Sequence, residues 1–239
     1  ENRGGTDKDV SYRGGYHKEL LYVENIFEEL DDFDEWYYDD QERALYLKSR
    51  HPEHIHQAKI ITANLLQLIT VKGTPKKPVR YIRFEDIEFR HTRRIFMEPY
   101  ERLLRGDWSI ARLSAVFFEG TEHCGVLDCN FENLGGNAVF FSNRNYRGYV
   151  MGSRFVRIGE SGVCLVGSLD AVRSPSVEYR NNVPYDEMDD FPGPKSKVYP
   201  LQCLVEDNIM HDLGQVGKQV AGVFLSMSEE IEVRHNTIY

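Results

Sequence analysis

Apolar residues in the middle of this chain come in short runs, and the runs recur. Ala115-Val116-Phe117-Phe118 is followed by Val126-x-x-Cys129-x-Phe131-x-x-Leu134-Gly135. Ala138-Val139-Phe140-Phe141 then leads into Val150-x-x-Ser153-x-Phe155-x-x-Ile158-Gly159, 23 residues on at Val139 and 24 at Val150. The second half returns at Val205-x-x-Asn208-x-Met210-x-x-Leu213-Gly214. The first half returns at Gly162-Val163-Cys164-Leu165 and at Gly222-Val223-Phe224-Leu225. An earlier copy begins at Phe84-x-x-Ile87-x-Phe89, and Val233-x-x-Asn236-x-Ile238 stands at the other end. Self-similarity at a fixed period decides a fold ahead of any local propensity.

Each half is short, rich in β-branched and aromatic residues, and bounded by Gly, Asn or Ser, which is strand punctuation. No apolar face is sustained at i, i+3, i+4, and the frame of a leucine-rich repeat is missing. Two or three short strands per turn of about 23 residues make one coil of a parallel β-helix. The expected fold is therefore all-β: a right-handed parallel β-helix with long inserted loops and a small N-terminal β appendage. The period of two sends Val139 and Phe141 inward and Phe140 outward. Rungs stack about 4.8 Å apart, so equivalent residues form columns. Val126, Val150 and Val205 share one inward column; Phe131, Phe155 and Met210 share another. Ile87, Cys129, Ser153, Asn208 and Asn236 form a third at a bend, where Asn can bond its own backbone.

Before the coil the pattern changes, which divides the chain into an appendage at 1–59 and the β-helix at 60–239. Residues 1–18 are Gly-rich, polar and irregular. Leu20 to Leu30 reads as a short strand running into a helical turn. Trp36-Tyr37-Tyr38-Asp39-Asp40 and Ala44-Leu45-Tyr46-Leu47 read as a hairpin across Gln41-Glu42-Arg43. Its aromatic density suits sugar stacking, but hairpins use cross-strand aromatics for packing as well. His51, His54 and His56 flank a Pro without the spacing of a metal site and read as exposed loop residues. Strand-like sequence resumes from Ile60 to Val71.

Thirty-eight acidic against 29 basic residues give a formal charge of −9, which makes nucleic acid a poor partner for the surface as a whole. No run of 18 apolar residues is long enough to span a membrane. The four Cys (124, 129, 164 and 203) lack metal-site spacing and read as buried free thiols. The sequence begins without Met, Glu1-Asn2-Arg3-Gly4-Gly5 is no signal peptide, and the last rung leaves an open strand edge. An interior piece of a longer, monomeric protein is the expectation.

Two insertions interrupt the coil, at 90–114 and 168–202, and a smaller excess follows Gly214 and carries Lys218-Gln219. Loops on a rigid stack are where function usually sits. Both long insertions mix Arg, carboxylate, Tyr and Trp, the residues that grip the oxygens and faces of a sugar. Equally, they could serve to cover the outward Phe117, Phe140 and Phe224, an apolar stripe if left bare. The first insertion and Lys218-Gln219 leave the coil at the same turn; the second leaves at a different corner.

The string Arg94-Ile95-Phe96-Met97-Glu98-Pro99-Tyr100-Glu101-x-Leu103-Leu104-Arg105-Gly106-Asp107-Trp108, followed by Gly135-Gly136-Asn137-Ala138-Val139-Phe140, resembles secreted bacterial β-helix proteins related to glycoside hydrolase family 141. So do Val172-Arg173-Ser174-Pro175, Pro192-Gly193-Pro194-Lys195, Cys203-Leu204-Val205-Glu206-Asp207-Asn208 and Lys218-Gln219. Leu21-Tyr22-Val23-Glu24-Asn25 and Glu35-Trp36-Tyr37-Tyr38-Asp39 are similar to theirs too, so the resemblance covers nearly the whole chain. It implies a pectin-lyase-like coil, a secreted, periplasmic or cell-surface location, and cleavage of plant cell-wall glycans such as fucosylated pectin side chains or xylan. Such proteins continue past the position of Tyr239 with further coils.

Glycoside hydrolysis needs two carboxyl groups, about 5 Å apart for retention or about 6.5–9.5 Å for inversion. Residues two rungs apart are separated by about 9.6 Å, which is the relation of Asp128 to Asp207 across Gly152. Asp before a bend is also ordinary turn chemistry. Candidate catalytic carboxylates are Glu98, Asp107, Asp207 and Glu230, with Glu229 beside the last. In a groove between the loops, Trp108 or Tyr179 would stack on a ring, while Arg105, Arg173, Lys195 and Lys218 would hold its oxygens. No cofactor and no metal are expected. Two other classes stay open. A polysaccharide lyase could use Arg93, Arg94, Arg105 or Lys195 as base, although no Asp cluster has Ca²⁺-ligand spacing. A non-catalytic glycan-binding β-helix would need only the aromatic loops.

Overall fold

A computed structural model of the chain describes residues 24–104, 108–176 and 183–239. The chain divides into two compact units, Glu1–Ile61 and Thr62–Tyr239. The expectations for residues 1–18 and for a strand at Leu20 to Val23 fall outside the described residues.

In the first unit, Phe27–Glu29 forms a 3-10 turn. β1 (Trp36–Asp39) and β2 (Ala44–Leu47) pair antiparallel with Trp36 opposite Leu47. The reversal works because Asp39 Oδ1 accepts from the amides of Gln41 and Glu42 while Arg43 takes a left-handed conformation. Phe27 packs edge-on to Tyr37 and Tyr46 at 5.4 and 5.3 Å, so these rings are spent on packing. His51, His54 and His56 are exposed, the last two on a 3-10 helix at Pro52–Gln57.

The second unit is a parallel β-helix. Its strands are β3 (Ile69–Lys72), β4 (Val79–Arg80), β5 (Arg83–Glu85), β6 (Glu88–Arg90), β7 (Glu101–Arg102), β8 (Ser109–Ile110), β9 (Ser114–Glu122), β10 (Gly125–Leu127) and β11 (Asn130–Leu134), then β12 (Asn137–Tyr146), β13 (Tyr149–Met151), β14 (Arg154–Ile158), β15 (Val163–Val166), β16 (Pro200–Leu201), β17 (Leu204–Glu206), β18 (Ile209–Leu213), β19 (Val223–Ser226), β20 (Glu232–Arg234) and β21 (Thr237–Ile238). All but β7 and β8 form three parallel sheets. The first runs β3-β9-β12-β15-β19, with β4 on β9 and β16 on β12; the second runs β5-β10-β13-β17-β20; the third runs β6-β11-β14-β18-β21. Each coil visits the first, second and third sheets in turn. The stretch from Ile60 differs from expectation: the strand starts only at Ile69, and Ile60, Ile61 and Leu65 are exposed.

The register puts the expected columns in place. Val126 lies between Phe84 and Val150, and Val150 is followed by Val205 and Val233. Phe89, Phe131, Phe155 and Met210 form the second column, with the rings of Phe131 and Phe155 stacked at 4.7 Å. Val116, Val139, Val163 and Phe118, Phe141, Leu165 complete the inner core from the first sheet. At the bend between the second and third sheets the polar column does more than bond its own backbone. Ser153 Oγ accepts from the Cys129 amide, Asn208 Oδ1 from the Ser153 amide and Asn236 Oδ1 from the Asn208 amide. Asn208 Nδ2 donates to the Val150 carbonyl. Each amide thus ties one rung to its neighbour and satisfies buried backbone that strand pairing cannot reach. All four cysteines are buried free thiols, and burial pushes the Cys203 thiol up to about 12.

Phe117, Phe140 and Cys164 point out of the first sheet, yet they are buried. A second apolar cluster covers them: Leu103 and Ile110 from the first insertion, with Trp108, Phe224 and Met227 at its margin. In this insertion β7 and β8 pair antiparallel, bringing Glu101 opposite Ile110. The second insertion carries 3-10 turns at Leu169–Ala171 and Tyr185–Glu187.

Candidate functional site

The first insertion and the 214–222 loop both leave the coil between the third and first sheets, and they converge on one side chain. Glu160 lies in the tight corner Gly159-Glu160-Ser161-Gly162 that joins β14 to β15, and it is 4% exposed. Its amide donates to the Gly136 carbonyl one rung earlier, and its carbonyl accepts from the Gly214 amide. From the first insertion, the Tyr100 hydroxyl donates to its Oε1. From the 214–222 loop, Gly217 lies so close that an added Cβ would stand 3.1 Å from the Glu160 side chain. Burial pushes the Glu160 carboxyl above the usual carboxylate range, against the Tyr100 hydrogen bond, which lowers it. Glu160 in turn adds to burial in raising the Cys164 thiol. A carboxyl held toward its protonated form at a junction of loops is a group able to donate a proton.

The residues singled out from sequence are dispersed around the coil. Glu98, half-buried in the first insertion, is paired with Arg93 Nη2 at 2.7 Å. Asp207 is exposed at the corner between the second and third sheets, with His235 Nδ1 3.7 Å away. Glu230 is exposed at the corner between the first and second sheets and accepts from Gln202 Nε2 at 2.6 Å. Asp128 and Asp207 do sit either side of Gly152, but both occupy left-handed positions of the turn, where Asp is a usual choice. Arg105, Asp107 and Tyr179 lie outside the described residues.

Of the remaining sugar-gripping candidates, Trp108, Arg173 and Lys218 are engaged with the protein. Trp108 stacks on Phe224 at 5.0 Å, as part of the cover over the outward phenylalanines. Arg173 is held inside the second insertion, donating to Asp189 at 2.6 Å and to the Gly193 carbonyl at 2.9 Å. Lys218 Nζ donates to the Gly214 carbonyl at 2.6 Å, in the loop over Glu160. Lys195 is exposed, and its backbone amide donates to the Ala171 carbonyl.

Glu119 is a second partly sheltered carboxylate of the first sheet. It pairs with Lys72 at 3.1 Å and accepts from Ser142 and Asn143. Gly136, which stacks under Glu160, immediately precedes β12, and Ser142, in register with Glu119, lies six residues further along, about 20 Å of extended chain at about 3.3 Å per residue. That exceeds the largest carboxylate separation used in glycoside hydrolysis, about 9.5 Å, so Glu119 is no partner for Glu160. Glu98, two residues from Tyr100, belongs to the same insertion as the hydroxyl that touches Glu160. Sequence reading missed Glu160 because a single Glu between glycines carries no motif. The signal present was position: a carboxylate at the corner from which the next coil and the coil two before it send out their insertions.

No family model matches the chain, and no curated protein matches it. Among solved structures, one titled "Glycoside hydrolase" matches with a TM-score of 0.70 and 23% sequence identity. The match covers 90% of this chain and 39% of that protein. The chain therefore shares the fold of the matched part of that protein while spanning about two fifths of its length.

Proposed function

We propose that the chain forms part of a carbohydrate-active enzyme that hydrolyses glycosidic bonds in a complex polysaccharide, with Glu160 as the proton donor. The buried Glu160 carboxyl, raised in pKa where two insertions meet, is the observation that carries this reading. In glycoside hydrolysis the acid must remain protonated near the working pH so that it can pass its proton to the leaving oxygen. Burial shifts the Glu160 carboxyl in that direction, and the Tyr100 hydroxyl holds its Oε1. The other carboxylate is assigned to the first insertion, whose described glutamates Glu98 and Glu101 flank Tyr100. The likeness to a structure titled glycoside hydrolase and the resemblance to family 141 both support a glycan as substrate.

The test is product analysis with the intact protein on plant cell-wall polysaccharides. New reducing ends without ultraviolet-absorbing unsaturated uronate are expected. Glu160→Gln should lower turnover by about 10²–10⁴-fold, the usual worth of a positioned acid. Unsaturated products would mark a lyase and overturn hydrolysis. Undiminished turnover in Glu160→Gln would reduce the Glu160–Tyr100 contact to a latch for the loop.

A further inference from the structure

Two of the coil's corners turn through a residue in the left-handed backbone region, and they fill that position differently. Between the second and third sheets the residues are Asp86, Asp128, Gly152, Asp207 and His235. Asp and Gly dominate, as expected where φ is positive, since a larger side chain there crowds its own carbonyl. Between the first and second sheets the equivalent residues are Tyr81, His123, Arg147, Gln202 and Glu230, with φ of 58, 54, 52, 53 and 52°. Not one is Gly, Asn or Asp. The turn has no use for these large side chains, so their presence must be explained by what they offer outside it.

What they offer is a continuous strip. Tyr81 is 73% exposed and stacks on His123 at 5.1 Å and 15°. His123 meets Tyr146 edge-on at 5.7 Å, and the Arg147 guanidinium lies over the Tyr146 ring at 5.1 Å. Arg147 Nε donates to Gln202 Oε1 at 3.2 Å, and Gln202 Nε2 donates to Glu230. Five rungs at about 4.8 Å make the strip about 19 Å long from first to last. One end is made of flat rings and the other of forked donors and acceptors.

We infer that this corner is a binding strip for an extended glycan chain laid along the coil axis. A polysaccharide presents flat apolar ring faces to aromatic side chains and hydroxyls to guanidinium, amide and carboxylate groups. A nucleic acid would need free cations, but Arg80 and Arg144 beside the strip are both paired with Glu122. The strip lies at a different corner from Glu160. It needs no hydrolysis there, since binding is read without turnover and stands or falls separately from the proposed reaction.

Glycine substitution separates presentation from packing, because glycine fits the left-handed turn better than the residues it replaces. The intact protein and its Tyr81→Gly/His123→Gly variant are run through gels containing soluble arabinoxylan, rhamnogalacturonan or de-esterified homogalacturonan. Retardation of the wild type by at least one polymer is expected, with a dissociation constant at least tenfold higher in the variant and a melting temperature unchanged or raised. Asp86→Gly, the same change at the neighbouring corner, should bind like wild type. Arg147→Ala tests the polar end independently and should weaken binding about threefold or more. The inference is overturned if the wild type is retarded by none of the three. It is equally overturned if the Gly variant melts lower yet binds unchanged, or if Arg147→Ala has no effect.

Discussion

Glu160 is a residue whose surroundings change its chemistry. Its folded pKa lies above the unfolded value, so the folded state holds its proton over a range where the unfolded chain has released it. By linkage, the stability this group contributes is fully present below the ordinary glutamate pKa and is lost as pH rises through the raised folded value. Glu160→Gln, neutral at every pH, should melt higher than wild type at pH 7–8, and the gap should close near pH 4. Thermal melts across that range check the sign; a variant less stable at neutral pH would mean that the charged form is the one the fold prefers. Phe155 represents the opposite kind of residue, chemically silent and fully buried between Phe131 and Met210. Phe155→Ala should cost about 3–5 kcal/mol in denaturant unfolding, since stacked rungs cannot collapse into the cavity. A loss below about 1 kcal/mol would contradict its place in the column.

The first insertion shows how one element combines two tasks. Its apolar residues Leu103, Ile110 and Trp108 seal the outer face of the first sheet, while its Tyr100 reaches Glu160. Sealing and chemistry are therefore coupled through one loop. Trp108→Ala should lower stability by about 1–3 kcal/mol, from lost burial on Phe224 and a lost aromatic pair. Denaturant melts measure this directly, and a neutral result would free Trp108 for the sugar-stacking role its sequence position suggested. The second insertion is built otherwise. Arg173 organises it from within through Asp189 and the Gly193 and Pro194 carbonyls, and Tyr185 and Phe191 remain exposed.

At the scale of the whole coil, stability is a sum of rungs and their neighbour contacts, and the loops hang from it. Limited trypsin digestion should accordingly cut first at Lys195 or Lys197, in the exposed part of the second insertion, and leave residues 114–166 intact. Peptide mass mapping reads this out; an early cut inside β9 to β15 would show that the rungs open before the loop does.

Much of this architecture could be read in advance because a coil is a periodic object. Val126 and Val150 had to align once the spacing of 24 was recognised, since stacking turns a sequence interval into a column, and Val205 joined them because its motif recurs beyond the second insertion. Phe140, opposite in parity to Val139 and Phe141, had to face out. The need for a cover over it followed as well, though whether the insertions covered, gripped or did both stayed open. Three-dimensional packing alone decided that Trp108 belongs to the cover, that Glu98, Asp207 and Glu230 stand at different corners, and that Glu160 is a carboxyl shut away from water. The physical reason is that periodicity constrains what repeats. Side-chain burial inside an insertion depends on contacts between loops far apart in the chain, such as Tyr100 with Glu160, and these leave no interval to count.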